Sequence, residues 1–256
     1  MTKTVHGKGM PGWVEIAADD TAAAIKFYTE LFGWTEQSIG DENFEYHILM
    51  NGDKTIGGLS GKMNPGQPSA WLTYLETDNI DATIKDINDN GGTTYMPPTA
   101  MPGGRFTIIS DPAGSPLGIV ESDGVFDSNG EKNGLVWFEL DIKDKFLETV
   151  EFYKNVFGWD PETGYDTAEM TYLTVAPWIG VYTGPDFPEY FKNHSQWSVT
   201  FNVSNIDLFA EKAETLGARI EHVMKDTPYG DFVMLRDLEG AFFVGMTPNQ
   251  SDKKFN

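Results

Sequence analysis

Hydrophobic and polar positions along this chain follow a pattern that is written twice. From Trp13 to Trp34 the sequence reads WVEIAADDTAAAIKFYTELFGW. Val14, Ile16 and Ala18 alternate with Trp13 and Glu15, which predicts a strand over 13–18 with one apolar face and one face carrying the tryptophan and the carboxylate. Asp19 or Asp20 can cap the segment that follows. Ala24, Ile25, Tyr28, Leu31 and Phe32 fall at helical spacing, so the pattern predicts a helix over 21–32 that Gly33 stops in a left-handed conformation. The same order returns as WFELDIKDKFLETVEFYKNVFGW between Trp137 and Trp159. Trp13, Glu15, Phe27, Tyr28, Phe32, Gly33 and Trp34 recur as Trp137, Glu139, Phe152, Tyr153, Phe157, Gly158 and Trp159.

The repetition extends well beyond its opening. WLTYLETDNIDATIKDINDNGG, from Trp71, matches WSVTFNVSNIDLFAEKAETLGA, from Trp197, and PGGRFTIISDPAGSPLG matches PYGDFVMLRDLEGAFFV. Asp111 then aligns with Asp237, and Gly114 with Gly240. The chain is an internal duplication, and each half opens a strand-then-helix unit twice. Further strands are predicted near 35–38, 44–50, 55–59, 93–96, 106–110 and 117–121, with helices near 80–90, 146–157 and 206–216. Asp78 or Asn79 caps the second helix, and Gly91, Gly158 and Gly217 stop the later ones. The polar, glycine-containing DGVFDSNGEKNG reads as a linker. The predicted architecture is α+β, with domains over 1–122 and 135–256 joined by 123–134. Residues 1–11 read as a loose lead-in.

Composition narrows the functional classes. The 256 residues are 40% hydrophobic and 13% aromatic, as expected of packed globular domains. No apolar run is long enough for a membrane helix, and the N-terminus lacks the apolar core of a secretory signal. A net charge of −21 opposes long-range attraction to nucleic acid or to an anionic membrane surface. Zero cysteines exclude disulfides, thiolate metal sites and cysteine nucleophiles. These features point to a cytoplasmic protein and away from nucleic acid and membrane as partners; a monomer or weak homodimer is expected.

A unit of strand, helix and three strands, used twice per domain, resembles the vicinal oxygen chelate superfamily of glyoxalase I, bleomycin-resistance proteins and extradiol dioxygenases. The residues that carry the resemblance are AAIKFYTELFGW, VEFYKNVFGW, the Gly-Gly after the second helix, and GRFTIISDPAGSPLG. The tandem form with W-x-E opening each half is similar to predicted enzymes related to lactoylglutathione lyase. The resemblance implies two glyoxalase-like domains, each a pair of βαβββ units forming a curved mixed sheet around a cavity, with helices on the convex side.

Metal-using members carry ligands on the first strand and near the end of the fourth strand of each unit. The corresponding positions here hold Trp13, Leu72, Trp137, Ser198, Gly118 and Val244, with Gly57 and Gly180 in the first units. None supplies a carboxylate or imidazole, so no metal cofactor is expected; a two-residue change of register would bring Glu15 and Glu139 to those positions. His6, His47, His194 and His222 do not fall at ligand spacing, and His47 reads as a half-exposed strand residue. The remaining candidates are an acid–base pair of positions, Glu15 and Glu139, in a lining of Trp13, Tyr46, Tyr74, Arg105, Trp137, Tyr172, Trp178 and Tyr229. Trp13 and Trp137 suit either core filling or pocket lining, whereas Trp71 and Trp197 suit core or interdomain packing. Two functions follow. One is a metal-independent lyase or isomerase acting on a small organic molecule, with a desolvated glutamate as base. The other is a non-catalytic module that binds and sequesters such a molecule.

Overall fold

A computed structural model of the chain describes residues 7–39, 45–122, 130–167, 170–175, 178–184 and 194–249. The first unit comprises β1 (Pro11–Ala18), α1 (Thr21–Phe32), β2 (Thr35–Ser38), β3 (Tyr46–Asn51) and β4 (Lys54–Gly61). The second comprises β5 (Ala70–Glu76), α2 (Ile80–Asp89), β6 (Thr93–Thr94), β7 (Thr99–Met101), β8 (Gly104–Ser110) and β9 (Pro116–Ser122). The second half repeats the order with β10 (Leu135–Asp141), α3 (Phe146–Phe157), β11 (Glu162–Asp166), β12 (Thr171–Val175) and β13 (Ile179–Thr183). It closes with β14 (Gln196–Asn202), α4 (Ile206–Thr215), β15 (Arg219–Thr227), β16 (Gly230–Arg236) and β17 (Phe242–Pro248).

Local chemistry sets the helix ends. Asp20, not Asp19, accepts the Ala23 N–H at 2.9 Å, and Asn79 does the same for Ala82 at 3.0 Å. Gly33 ends α1 at φ +77°, a conformation that a Cβ would strain. The short β7, which pairs with β8, was not anticipated; its sequence, TAM, is too short to show a period.

Each half forms one curved mixed sheet. The first is ordered β2-β3-β4-β1-β5-β9-β8-β6, and the second β11-β12-β13-β10-β14-β17-β16-β15. At the centre of each, the opening strand runs parallel to the last strand of its own unit and antiparallel to the first strand of the next. The two sheets are therefore the two-domain α+β architecture. Of the linker expected at 123–134, residues 123–129 lie outside the described residues, and 130–134 are turns and bends leading into β10.

Alternation in β1 puts Val14 and Ile16, both fully buried, on the helix side. Those helix sides meet one another. Phe201 on β14 lies 4.9 Å from Phe32, 5.3 Å from Trp34 and 5.4 Å from Trp71, ring centre to ring centre. One apolar core thus runs through both halves, and the concave faces look away from it.

The residues that recur in the sequence make reciprocal bonds across this core. Trp71 Nε1 donates to Tyr28 Oη at 2.9 Å, and Tyr28 donates to Asp237 Oδ2 of the other half at 2.8 Å. In mirror fashion, Trp197 Nε1 donates to Tyr153 Oη at 3.0 Å, and Tyr153 to Asp111 Oδ2 at 3.0 Å. Trp34 and Trp159 also cross over, donating to the carbonyls of Asn133 and Gly9 at 2.8 and 2.9 Å. The last contact corrects the reading of the first eleven residues. From Gly7 onward they are docked, with Gly9 N donating to Glu76 O at 2.8 Å, and Pro11 and Gly12 already belong to β1.

Glu239 adds a bond with no twin, since its counterpart is Ala113. Its carboxylate accepts the N–H groups of Asp19 and Asp20 at 2.8 Å each, the Ser69 hydroxyl, and Lys62 Nζ at 3.3 Å. Burial pushes its pKa up, but these donors outweigh burial and hold it at about 2 against an ordinary 4.5. A depressed carboxyl contributes stability above the unfolded value and loses it as pH falls through the folded one. Glu239→Gln is therefore expected to cost about 1.5–3 kcal/mol at pH 7. The gap to wild type should stay full above pH 4.5 and close toward pH 2, as urea denaturation at several pH values would measure. A gap that widened on acidification would contradict the assignment.

Candidate functional site

The concave face of each sheet carries the same three-residue arrangement, placed there by alternation in β1 and β10. In the first half, Trp13 Nε1 donates to Tyr46 Oη at 2.9 Å, and Tyr46 donates to Glu15 Oε2 at 2.7 Å. Ser60 Oγ supplies a second donor to Glu15 Oε1 at 3.1 Å. In the second half, Tyr172 Oη donates to Glu139 Oε2 at 3.0 Å, with Trp137 also bonded to that carboxylate. Trp13 and Trp137 are half-buried and pack against the cores beside them, so they both line this face and fill behind it.

Close packing fixes the tyrosines. Glu15 lies opposite Gly58 and Glu139 opposite Gly180 in the parallel ladders. A Cβ on Gly58 would come within 2.0 Å of Tyr46 Oη, and one on Gly180 within 2.2 Å of Tyr172 Oη. Glycine is required there because the phenol lies against the backbone. The alignment with Gly57 is corrected by one residue: a Cβ on Gly57 would meet Val14 on the helix side.

Burial dominates the electrostatics. It pushes both Glu15 and Glu139 above the ordinary carboxylate range, opposed by Tyr46 and Ser60 at Glu15 and by Tyr172 and Trp137 at Glu139. The Tyr46 and Tyr172 hydroxyls are pushed up by burial and by the neighbouring carboxylates, so they remain proton donors.

Other sequence candidates divide. Tyr74 joins the first group: it is the ladder partner of Trp13, its ring lies over Gly118, and its hydroxyl is pushed up by burial and then by Glu15 and Tyr46. Tyr229 packs with Trp137 and Phe232 in the second. Trp178 is buried in the main core. Arg105 does not face this group. It pairs with Glu121 at 3.0 Å and Asp81 at 2.9 Å, and Glu121 in turn accepts the Ile80 N–H at the start of α2. Along β8, Arg105 shares its side with the buried Thr107 and Ile109, whereas Phe106 shares the side of Tyr74. Both alternations in RFTIIS are partly apolar, so the sequence does not fix which one faces the helices.

Among the histidines, His6 lies outside the described residues, and His194 and His222 are exposed. His47 is 7% exposed rather than half-exposed, held between Glu36 at 2.6 Å and Glu45 at 3.0 Å. Burial pushes its pKa down, but the two carboxylates prevail and raise it.

The family's metal positions fall on rows across the sheets. One row runs Trp13–Tyr74–Gly118 and its twin Trp137–Thr200–Val244. The rows beside them pair Glu15 with Leu72 and Glu139 with Ser198. Divalent ions need several carboxylate or imidazole donors around one point, and among the described residues no three such groups are placed to hold one ion. The described residues at these positions do not fit a divalent metal.

Curved paired sheets of βαβββ units with a polar group at their concave centre define a vicinal oxygen chelate protein. The family model of the glyoxalase/bleomycin resistance protein/dioxygenase superfamily matches residues 11–119 and 144–243, and the chain belongs to that superfamily. Among curated relatives, "Putative glyoxylase CFP32" of Mycobacterium tuberculosis is 29% identical over 96% of this chain and 97% of its own length. The anthracycline biosynthesis protein DnrV of Streptomyces peucetius is also 29% identical, over 94% of each chain. Among solved structures, the 2,3-dioxygenase LapB of Pseudomonas sp. KL28 superposes with a TM-score of 0.64 at 12% identity, covering 97% of this chain and 96% of its own. The Mn(II)-bound glyoxalase of Novosphingobium aromaticivorans gives 0.61 at 14% identity, covering 93% of this chain and 82% of its own. No helix among the described residues is long and apolar enough to cross a membrane.

Proposed function

We propose that this chain is a metal-independent, glyoxalase-related enzyme of the lyase or isomerase type that takes a small organic molecule on its concave faces. The observation that carries the reading is the tyrosine-held glutamate at the same place in both halves, on rows whose metal positions hold no ligand. Glu15 and Glu139 act as the base: a partly desolvated carboxylate removes a proton from a carbon next to a carbonyl and returns it to the neighbouring carbon. Tyr46 and Tyr172 orient the carboxylates, and the tryptophans and Tyr74 shape an apolar wall. Raised pKa values bring the glutamates closer to the range where a carboxyl can both accept and give back a proton.

The test uses the hemithioacetal of methylglyoxal and glutathione, with protein treated with chelator. Isomerisation is expected to survive chelation and to fall about 10²–10⁴-fold when both Glu15→Gln and Glu139→Gln are introduced. The Tm of the double variant should hold or rise, since a desolvated functional charge costs stability. Turnover that disappears with chelator and returns with added nickel or zinc would overturn the metal-independent reading. A large fall in Tm in both single variants would make the glutamates structural and leave the aromatic wall as a binding module alone.

A further inference from the structure

β10 carries a second carboxylate that β1 lacks. Trp137, Glu139 and Asp141 alternate on one face, where the first half has Trp13, Glu15 and Ala17. The ladder is regular through this stretch, with Asp141 opposite Tyr182 on one side and Gln196 on the other. Asp141 is 2% exposed, and its Oδ2 has no hydrogen-bond partner. Gln196 Nε2, across the ladder, is also buried without a partner. An acceptor and a donor thus lie on neighbouring strands and neither satisfies the other.

Such an arrangement is costly. A buried carboxylate lacking donors, two residues along a strand from a second carboxylate, meets both a desolvation penalty and like-charge repulsion. The fold does not demand it, because the first half puts a methyl group in the same place. Buried polar atoms are almost always satisfied in working proteins, and one left open at a concave face points to a ligand that completes it.

We propose that the concave face of the second half is an ammonium site, in which Glu139 and Asp141 accept the N–H donors of a protonated amine and Trp137 covers its apolar body. The inference rests on the small-molecule reading of that face and narrows it to one half and one ligand class. An ammonium fits better than a divalent ion. It brings three donors and one charge to two carboxylates, whereas calcium or magnesium demands about six oxygen ligands. An indole beside a cation adds attraction of its own. Gln196 Nε2 offers a donor to a hydroxyl or carbonyl near the amine. The net charge of −21 draws cations toward the protein. Burial and then the charge of Glu139 push Asp141 well above the ordinary carboxylate range; an ammonium between the two carboxylates favours their ionised forms, so binding is expected to release protons.

The experiment is calorimetric titration of the full chain with phenethylamine, 2-phenylethanol and phenylacetate at pH 7. The amine is expected to bind at least about 10-fold more tightly than the other two, with proton release visible as heat that varies with the buffer. Asp141→Ala, which installs the residue of the first half, should bring the amine to the level of the alcohol while keeping or raising the Tm. Glu36→Gln, which removes a charge from β2 far from this face, should leave amine binding unchanged. Equal binding of amine and alcohol would overturn the proposal, as would a preference that survives both Asp141→Ala and Asp141→Asn. Binding of none of the three would also overturn it, and would leave the isomerase reading to its own test on the hemithioacetal.

Discussion

Phe201→Ala is expected to lower the unfolding free energy by about 3–5 kcal/mol, the usual cost of emptying a buried phenylalanine site. Phe201 belongs to β14, yet three of its ring neighbours, Phe32, Trp34 and Trp71, belong to the first half. Phe243, from its own half, closes the ring at 6.1 Å. The side chain is fully buried, and it is hemmed in by aromatic rings anchored on two separate sheets. Those sheets cannot both move inward without breaking the Trp71–Tyr28–Asp237 chain, so the cavity stays largely open. The two halves should remain one cooperative unit, with tryptophan fluorescence and far-ultraviolet circular dichroism shifting together in urea. A cost below about 1.5 kcal/mol, or two separated transitions in the wild-type protein, would show that the halves are held by something other than this core.

Much of this arrangement was legible in the sequence, because a duplication prints its structural residues twice. The helices over 21–32 and 146–157 and the order of elements in each unit follow from periodicity and glycine placement; alternation sets Glu15 and Glu139 opposite the apolar face, and the resemblance to the family implies that this face is the concave one. What the recurring residues do was less legible. Tyr28, Trp34, Trp71 and Asp111 recur because each reaches into the other half, and a one-dimensional repeat carries no sign of which half a side chain serves. Residues that break the repeat were missed for the opposite reason. Glu239 replaces Ala113, and Asp141 replaces Ala17, so an alignment built on matching letters passes over both. Alternation offered a signal for Asp141, which falls in step with Trp137 and Glu139. His47 gave none, since its burial depends on Glu36 and Glu45 folding over it from β2 and the approach to β3.

The interface bonds yield the second large effect. Asp237 is 7% exposed and accepts three donors: the N–H groups of Glu239 at 3.0 Å and Ala241 at 2.8 Å, and the Tyr28 hydroxyl. Asp237→Ala leaves all three donors unpaired, two of them buried, and at about 1–3 kcal/mol per buried unsatisfied group the expected loss is about 2–5 kcal/mol. Tyr28→Phe removes one of the three donors to Asp237 and also the acceptor of the buried Trp71 indole N–H, and should cost about 1–3 kcal/mol. Burial pushes the carboxyls of both Asp237 and its mirror residue Asp111 above the ordinary range. Burial raises Asp111 to about 6 from 3.8, against the opposing bonds from Ser115 and Tyr153. A carboxyl raised in the folded state favours folding below its unfolded pKa and loses that contribution as pH rises through the folded one. Wild-type stability should therefore carry a component that declines between pH 3.8 and about 6, and Asp111→Asn should lack it. Urea midpoints of the wild type, Asp111→Asn and Asp237→Asn measured at pH 4, 5, 6 and 7 would apportion the decline between the two aspartates. If Asp111→Asn kept the same decline, the titrating group in that window would have to be another buried carboxyl, with Asp237, Glu15 and Glu139 next in line. If Asp237→Ala cost less than about 1 kcal/mol, the reciprocal tyrosine–aspartate bonds would be incidental to how the halves are joined.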